Sequence, residues 1–234
     1  MATDLTRIGE RARKEPGLVF TNLYHHIYDV DNLRACYEAL DANKATGVDG
    51  VTKEEYGRNL EGNLRDLSER LGRMGYRPGP KRRSYILKAG SEKGRPLGIS
   101  NLEDKIVEEE TKRTLTPIYE AVFEDSSHGY RPGRSQHKCL DALGRTIQQK
   151  KVNHIVEADI RSFFDEVNQK WMVKFLRHRI GDERVIRLII RMLKSGIMED
   201  GLVRATEKGT PQGSLCKALH NPPYAKKVIM QSNI

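Results

Sequence analysis

The stretch "VNHIVEADIRSFFDEV" at residues 152–167 decides the predicted fold, because an apolar run in it ends in an acid. We predict a short strand with Asp159 at its C-terminal end, and that end of a buried strand is the rim of a sheet, where ligands bind. Mg²⁺ prefers carboxylate and carbonyl oxygens, which the side chain of Asp159 and the backbone of Ile160 could supply. Taken alone, the stretch favours a helix cap or a surface carboxylate at Asp159 and core packing of Phe163 and Phe164.

Two helices and a hairpin are predicted on the C-terminal side of this stretch. Asn168 and Asp182 are suited to cap the two helices, and "GIMEDGLVRATEKG" predicts a hairpin that turns at Asp200 and Gly201. The residues expected to face inward are Trp171, Phe175 and Leu176 in the first helix, and Val185, Ile186, Ile189, Ile190 and Leu193 in the second.

The N-terminal side is predicted to alternate helices with one hairpin. Residues 1–20 are expected to be a flexible or weakly helical lead, followed by a helix that Asp31 caps. "RRSYILKAGSEKGRPLGIS" predicts two strands around a turn, and Pro117 is expected to end the helix that follows. Capping boxes are expected at two helix starts: Thr52 with Glu55, and Ser100 with Glu103. This irregular alternation predicts the α+β class.

The composition is that of a globular protein. Of 234 residues, 37% are hydrophobic and 31% charged, and no apolar run approaches the length of a membrane span. The N-terminus has no apolar segment of the kind found in secretory signals. The cysteines, Cys36, Cys139 and Cys216, are far apart, which indicates neither a disulfide framework nor a metal site. We therefore expect a cytoplasmic protein with no membrane partner.

The net charge of +9 is concentrated in one window. Residues 70–95 hold nine basic residues and a single acid, Glu92, so this window alone carries +8. A concentrated basic patch is typical of a phosphate-rich partner, although a solvated basic face is the alternative. Tyr76, Tyr85 and several glycines lie among these charges, which favours a nucleic acid as the partner.

Five motifs occur in order along the chain. They are "GVDG" (47–50), "EKGRPLGIS" (92–100), "GYRPGRSQH" (129–137), "ADIRSFFDEV" (158–167) and "GTPQGS" (209–214). Together they resemble the reverse-transcriptase domain of group II intron-encoded proteins, the mobile-intron reverse transcriptase and maturase family. The resemblance covers about residues 32–214, and five motifs in order are highly specific where one would be weak.

The resemblance implies a right-hand polymerase fold of the α+β class, with fingers followed by an incomplete palm. It divides the chain into a basic N-terminal extension (1–31), fingers (32–150), a partial palm (151–214) and a divergent tail (215–234). The extension, where the family binds RNA, holds four basic residues: Arg7, Arg11, Arg13 and Lys14. A solvated tail stays the alternative there. The implied partners are an intron RNA template, a DNA primer and dNTPs, and the oligomeric state is left open.

The resemblance also implies roles for individual residues. Asp159 matches the first palm aspartate, which holds both catalytic Mg²⁺ ions, and the carbonyl of Ile160 is the neighbouring metal ligand. Lys88 and Arg95 match contacts to the incoming triphosphate, and Phe164 matches the steric gate against a ribose 2′-hydroxyl. The remaining implied nucleotide contacts are Arg161, Ser162, Phe163 and Gln212. The implied nucleic-acid contacts are Arg77, Lys81, Arg82, Arg83, Arg131, Arg134 and Gly213.

The tail departs from the family pattern. The family continues with a Ser-Pro-rich helix and a second palm strand bearing Tyr-x-Asp-Asp, whereas "LCKALHNPPYAKKVIMQSNI" (215–234) contains no Asp or Glu. We expect a truncation before the second palm strand pair, from a frameshift, deletion or recombination. Asp165 is expected to serve a cap or a salt bridge. Losing the metal carboxylates should remove most transition-state stabilisation, typically several kcal/mol.

Three functional hypotheses follow. The first is an RNA-directed DNA polymerase by family, using two Mg²⁺ ions and dNTPs, that is catalytically incompetent in this truncated chain. The alternative is a non-enzymatic RNA-binding fragment of a degenerate or split intron-encoded protein. The third is a gene product that folds poorly, and an enzyme completed by a second chain also stays open.

Overall fold

The structure is a computed structural model that describes residues 5–88, 91–158, 163–206 and 208–209. In those residues the helices are α1 (Leu5–Lys14), α2 (Tyr24–Tyr28), α3 (Val30–Ala39), α4 (Lys53–Gly57), α5 (Leu60–Gly72), α6 (Leu102–Glu120), α7 (Gln136–Gln149), α8 (Phe163–Glu166), α9 (Gln169–Leu176) and α10 (Glu183–Leu193). The strands are β1 (Lys81–Lys88), β2 (Ser91–Ile99), β3 (Ile197–Glu199) and β4 (Leu202–Arg204). The predicted α+β class is confirmed.

The N-terminal lead is a packed helix rather than a flexible segment. Ile8, Gly9 and Ala12 of α1 are buried, and α1 packs against α6. The apolar positions lie on one side of the helix, so their burial stabilises it although the lead is mostly polar. The basic residues of the helix stay exposed: Arg7, Arg11, Arg13 and Lys14.

The next helices largely follow the sequence patterns. Asp29, and not Asp31, caps α3, because its side chain accepts a hydrogen bond from the backbone amide of Asn32 at 3.0 Å. The predicted capping box of Thr52 and Glu55 is confirmed at the start of α4. A separate helix, α5, follows and buries three leucines in the core: Leu64, Leu67 and Leu71.

The predicted basic hairpin is confirmed as β1 and β2. Their antiparallel register places Arg82 opposite Ile99 and Ile86 opposite Arg95, with an irregularity after Leu87. β1 also pairs in parallel with β3, which pairs antiparallel with β4 around the predicted turn, so the sheet order is β2-β1-β3-β4. This sheet joins the basic hairpin to a part of the chain about 100 residues downstream.

Helix α6 lies at the centre of the fold, against α1, α2 and α3. It runs on past Pro117 to Glu120, so the prediction that Pro117 ends it is wrong. Helix α1 packs against α6 at Pro117, where a Cβ on Gly9 would lie 3.3 Å from the Cβ of the proline. Proline has no backbone N–H to donate, and this packing stabilises the helical turn that lacks the hydrogen bond. The predicted capping box of Ser100 and Glu103 is also wrong, since both side chains have other partners described below.

The strand predicted at residues 152–158 does not form. Residues 151–158 have no regular secondary structure, and Ile155 and Val156 are 68% and 88% exposed. A strand needs a neighbour for its backbone hydrogen bonds, and no described strand lies beside this segment. Helix α7, which precedes it, buries none of its residues.

Helices α9 and α10 begin at their predicted caps, Asn168 and Asp182. The core side of α9 is partly different from the prediction, because Met172 is buried while Trp171 is 42% exposed. The predicted inward face of α10 is confirmed except at Ile190, which is only partly buried, and Leu188 and Met192 are buried as well. No helix within the described ranges is both long enough and apolar enough to cross a membrane.

Candidate functional site

A buried ion pair fixes the base of the basic hairpin. Lys81 opens β1, and its ammonium donates to the carboxylate of Glu108 on α6 and, at 2.9 Å, to the hydroxyl of Ser100. That hydroxyl also donates to Glu108 at 3.1 Å. The Lys81 side chain is only 3% exposed, so its ammonium serves to hold the base of the hairpin, and its nucleic-acid contact stays a prediction. A buried charge of this kind is stable only when it is paired.

A second buried acid holds the turn that enters the hairpin. Asp104 accepts hydrogen bonds from the hydroxyl of Tyr76 and, at 3.1 Å, from the backbone amide of Gly79. Burial raises the pKa of Asp104 to about 6, against the opposing effect of the Tyr76 hydrogen bond. Residues 76–81 are therefore tied to one face of α6 at both ends.

The "GVDG" loop docks against the same end of α6. The side-chain oxygen of Asn101 accepts a hydrogen bond from the backbone amide of Val48 at 2.8 Å, and a Cβ at Gly47 would collide with Asn101. Arg82 of β1 donates twice to the carbonyl of Thr46, at 2.8 and 3.0 Å. The "GVDG" loop is thus held against the hairpin and the start of α6 by residues that lie 36 and 53 positions away in sequence.

Acids from outside the basic window neutralise part of its charge. Arg70 pairs with Glu103 at 2.9 Å, Lys81 pairs with Glu108, and Arg83 lies 3.9 Å from Glu199. Arg73 and Arg77 remain exposed. The predicted basic patch is consequently smaller than the window charge of +8 suggests.

The two predicted triphosphate ligands lie on opposite strands of the hairpin. Arg95 of β2 is opposite Ile86, two residues before Lys88 on β1. Their side chains lie outside the described part of the structure. The exposed side chains beside them are apolar or aromatic, since Ile86 is 56% and Tyr85 is 60% exposed.

The "GYRPGRSQH" motif closes onto the C-terminal end of α6. Arg131 is buried and donates to the Glu120 carboxylate and to the carbonyls of Glu124 and Ser127. The donors of Arg131 are thus engaged inside the protein, and its nucleic-acid contact stays a prediction. Arg134 pairs with the exposed Asp125 at 3.0 Å and keeps part of its surface in solvent.

The start of the "GTPQGS" motif packs onto the end of the "ADIRSFFDEV" motif. The amide of Gly209 donates to the carbonyl of Val167 at 2.8 Å, and the side-chain amide of Gln169 donates to the carbonyl of Gly209 at 3.0 Å. Gly209 has a φ of 76°, and a Cβ there would lie 2.6 Å from the carbonyl oxygen of Asp165. Only glycine fits this contact without a shift of the backbone.

The innermost predicted site residues lie outside the described residues: Asp159, Ile160, Arg161, Ser162, Gln212 and Gly213. Phe163 and Phe164 open the short helix α8, and Phe164 is half-buried. Among the described residues, no group of three or more His, Cys, Asp or Glu side chains is placed to hold a metal ion. The predicted roles of these residues therefore stay predictions.

The profile of the reverse transcriptase (RNA-dependent DNA polymerase) family matches residues 86–220. These residues include four of the five motifs at least in part, with the contacts between them described above. The chain belongs to the reverse transcriptase family. Its relatives among group II intron-encoded proteins place it in the group II intron branch of that family.

Similar proteins are known from several sources. The group II intron-encoded protein LtrA of Lactococcus lactis subsp. cremoris is 34% identical over 215 residues, which cover 92% of this chain and 36% of LtrA. Protein YkfC of Escherichia coli is 36% identical over 176 residues, covering 74% of this chain and 46% of YkfC. The chain thus spans less than half the length of these relatives.

A solved structure shares the fold. A chain of a partial Cas6-RT-Cas1–Cas2 complex superimposes with a TM-score of 0.57 at 21% identity, covering 88% of this chain and 34% of that chain. At this identity the likeness establishes the reverse-transcriptase-like fold and nothing about activity.

Sequence reasoning missed several contacts between distant parts of the chain. Glu108 and Asn101 were not identified, and Asp182 was predicted only as the cap of α10, although each binds a segment that is distant in sequence. One signal was present for Glu108: Asp104, Glu108 and Thr111 share one face of α6 with the apolar Leu115 at helical spacing. Acids at core positions require partners, and Lys81 at the start of a strand is a suitable one.

Proposed function

We propose that this chain is the RNA-binding and nucleotide-contacting part of a group II intron-encoded reverse transcriptase, and that the 234 residues alone do not extend a primer. The observation that carries the proposal is the contact of Gly209 with Val167. It supports a shared site because it joins the first residue of the "GTPQGS" motif to the last residue of the "ADIRSFFDEV" motif, and the family resemblance assigns nucleotide contacts to both motifs.

The proposed roles follow the motifs. Lys88 and Arg95 hold the triphosphate, for which an arginine fork and a lysine point charge are suited. Phe164 is the steric gate, and Arg161, Ser162, Phe163 and Gln212 are further nucleotide contacts. Asp159 and the carbonyl of Ile160 would hold Mg²⁺, which when bound activates the primer 3′-hydroxyl and stabilises the leaving group.

The proposed nucleic-acid surface is narrower than the one expected from the sequence. Arg73 and Arg77 precede the hairpin and are exposed, and Arg82 and Arg83 of β1 are half-buried. Arg134 and Gly213 stay in the proposal, whereas Lys81 and Arg131 are left out because both are buried and ion-paired. An RNA template, a DNA primer and dNTPs are the proposed partners, in the cytoplasm.

Carboxylates after Asp159 are largely engaged elsewhere, which supports the proposed lack of polymerase activity. Glu166 pairs with Lys208 at 2.7 Å, and Glu183 pairs with Arg177 at 2.6 Å. The remaining acids with described partners are Asp182, which caps helices, and Glu199, which faces Arg83 and Tyr85. Asp165 is exposed.

The RNA-binding part of the proposal is tested by affinity as a function of salt. We expect the chain to bind a labelled single-stranded RNA with an affinity that falls steeply as salt rises, because phosphate contacts release counterions. The variant Arg73→Gln/Arg77→Gln removes two exposed charges of the proposed nucleic-acid surface. It should lower affinity and reduce the salt slope by about 1.4, from about 0.7 per lost phosphate contact on single strands.

The matched control is Arg187→Gln/Lys194→Gln, which removes two exposed charges from α10. It should leave affinity and slope near those of the parent chain. Equal losses in both variants would mean that only net charge matters, and the proposed hairpin site would be wrong.

A further inference from the structure

The outer face of α9 carries a row of aromatic side chains. Trp171 and Phe175 lie four residues apart in α9, and His178 follows in the turn directly after the helix, so the three rings lie on one side. The rings of Trp171 and Phe175 are 5.9 Å apart at 25°, and those of Phe175 and His178 are 6.4 Å apart at 23°. This aromatic row is close to parallel stacking along its whole length.

The aromatic row is not needed to hold α9 in the core. The opposite face of the helix is buried through Gln169, Met172 and Leu176. Trp171 is 42% exposed and His178 is exposed as well. A tryptophan left in solvent costs hydrophobic free energy, so an exposed row of this kind is typical of a surface with a partner.

The charges beside the row are basic. Lys170 and Lys174 are exposed, and within the described ranges neither forms an ion pair with a carboxylate. The ammonium of Lys174 lies 4.5 Å from the centroid of the Trp171 ring. Arg177 is neutralised by Glu183, so the two lysines give this face its charge. The aromatic rings are suited to stack with the bases of a nucleic acid, and the lysines beside them are suited to bind its phosphates.

We propose that the outer face of α9 binds single-stranded RNA, with bases stacked on Trp171 and Phe175 and phosphates held by Lys170 and Lys174. Base stacking on aromatic side chains tolerates any sequence, and lysines follow the phosphate backbone. The ammonium of Lys174 covers the indole in the free protein and turns to a phosphate when a base takes its place. This surface lies on a different element from the hairpin, so it adds a second RNA contact to the proposed function and does not depend on the first.

Trp171 is the single tryptophan of the chain, and its fluorescence therefore reports on this surface alone. The parent chain is titrated with a 12-nucleotide oligouridylate and with an abasic ribose-phosphate oligomer of the same length. We expect strong quenching by the oligouridylate and little by the abasic oligomer, because only bases can stack on the indole.

Variants test the same surface by the anisotropy of labelled RNA. Trp171→Leu should weaken binding roughly fivefold or more, as expected for one lost base stack. Lys170→Gln/Lys174→Gln should weaken it and lower its salt dependence, whereas the control Arg187→Gln/Lys194→Gln should not. The variant Arg73→Gln/Arg77→Gln should keep the quenching of Trp171, which separates this surface from the first RNA surface beside the hairpin. Far-ultraviolet circular dichroism verifies that each variant is folded.

Three results would overturn the proposal. Equal quenching by both oligomers would show a purely electrostatic contact. RNA binding seen by anisotropy without any change in Trp171 fluorescence would place the RNA elsewhere. A blue shift of Trp171 emission that grows with protein concentration, without RNA, would assign this face to self-association.

Discussion

The carboxylate of Asp182 accepts a hydrogen bond from the backbone amide of Tyr24 at 2.9 Å, although 158 residues separate them in sequence. The same oxygen accepts from the amide of Leu23, so Asp182 closes the start of α2 while it caps α10. Nearby, the buried Arg179 donates to the carbonyls of Pro16 and Leu18. The N-terminal segment is therefore held by the loop between α9 and α10.

Replacing Asp182 should destabilise the fold strongly. Asp182→Ala removes two helix caps, and we expect a loss of roughly 2–4 kcal/mol at about 1–2 kcal/mol for each cap. Urea unfolding followed by circular dichroism measures this loss. The neighbouring exposed acid provides the control: Glu183→Ala breaks only a surface pair and should cost less than about 1 kcal/mol. Similar losses in the two variants would contradict the dual role of Asp182.

The carboxyl of Asp182 should also make the fold less stable at acid pH. Burial acts to raise its pKa, but Arg184 and the amide hydrogen bonds outweigh this and hold the pKa below its usual range. Because the folded-state pKa is depressed, this stabilisation is present above the pKa of the unfolded chain and is lost as pH falls through the folded pKa. Unfolding midpoints measured from pH 6 down to pH 3 should fall less in Asp182→Ala than in the parent chain.

The carboxyl of Glu110 should have the opposite effect, because it should lower the stability of the fold as pH rises toward neutral. It accepts hydrogen bonds from the thiol of Cys36 at 3.2 Å and the hydroxyl of Thr114 at 3.1 Å, and burial raises its pKa to about 7. A raised carboxyl pKa gives stability that is full below the unfolded-state value and is lost as pH rises through about 7. Asp104, with its pKa of about 6, should likewise lower the stability of the fold as pH rises.

The variant Glu110→Gln tests whether this carboxyl causes the fall of stability with rising pH. The amide keeps the size and cannot ionise, so the variant should gain roughly 2–3 kcal/mol relative to the parent between pH 5 and 8, at 1.36 kcal/mol per pKa unit. Thermal unfolding at each pH measures the difference. A parent chain whose stability does not fall over this interval would show that Glu110 is not a buried, titrating acid.

The Lys81–Glu108 pair should behave as a buried ion pair. Glu108→Gln or Lys81→Met alone leaves one buried charge unpaired, which costs about 3–5 kcal/mol, whereas the double variant should recover most of the loss. A double-mutant cycle by urea unfolding gives the coupling energy. RNA affinity of the folded Lys81→Met chain should match the parent. A selective loss of RNA affinity would return Lys81 to the nucleic-acid surface.

Gly209 and Gly201 form a matched pair for testing the contact between the two motifs. Both have a φ of 76°, but a Cβ at Gly201 meets nothing within 4 Å, whereas one at Gly209 meets the Asp165 carbonyl. Each alanine variant has the same backbone strain of about 1–2 kcal/mol. Only Gly209→Ala adds a collision, so it should unfold at a lower urea concentration than Gly201→Ala. Equal midpoints would mean that Gly209 does not pack on α8.

The sequence predicted local features of this fold well. The capping box at Thr52, the caps at Asn168 and Asp182, and both hairpins depend on neighbouring residues, and all are confirmed. The five motifs also identified the family, because their order is informative even without a structure.

Features that depend on distant residues could not be predicted. Counting charges in residues 70–95 missed Glu103, Glu108 and Glu199, which neutralise part of the window from other elements. The strand at 152–158 was predicted from its apolar residues, but a strand also requires a partner. Pro117 was expected to end α6, and packing against α1 overrides that local preference.

The most direct test of the central claim is primer extension on an RNA template with dNTPs and Mg²⁺, with RNA binding verified in the same reaction. The parent chain is compared with Asp159→Ala. We predict that both bind RNA and that neither extends the primer. Extension by the parent chain that Asp159→Ala abolishes would contradict the account, and would mean that a complete metal site forms within these 234 residues or between two copies of them.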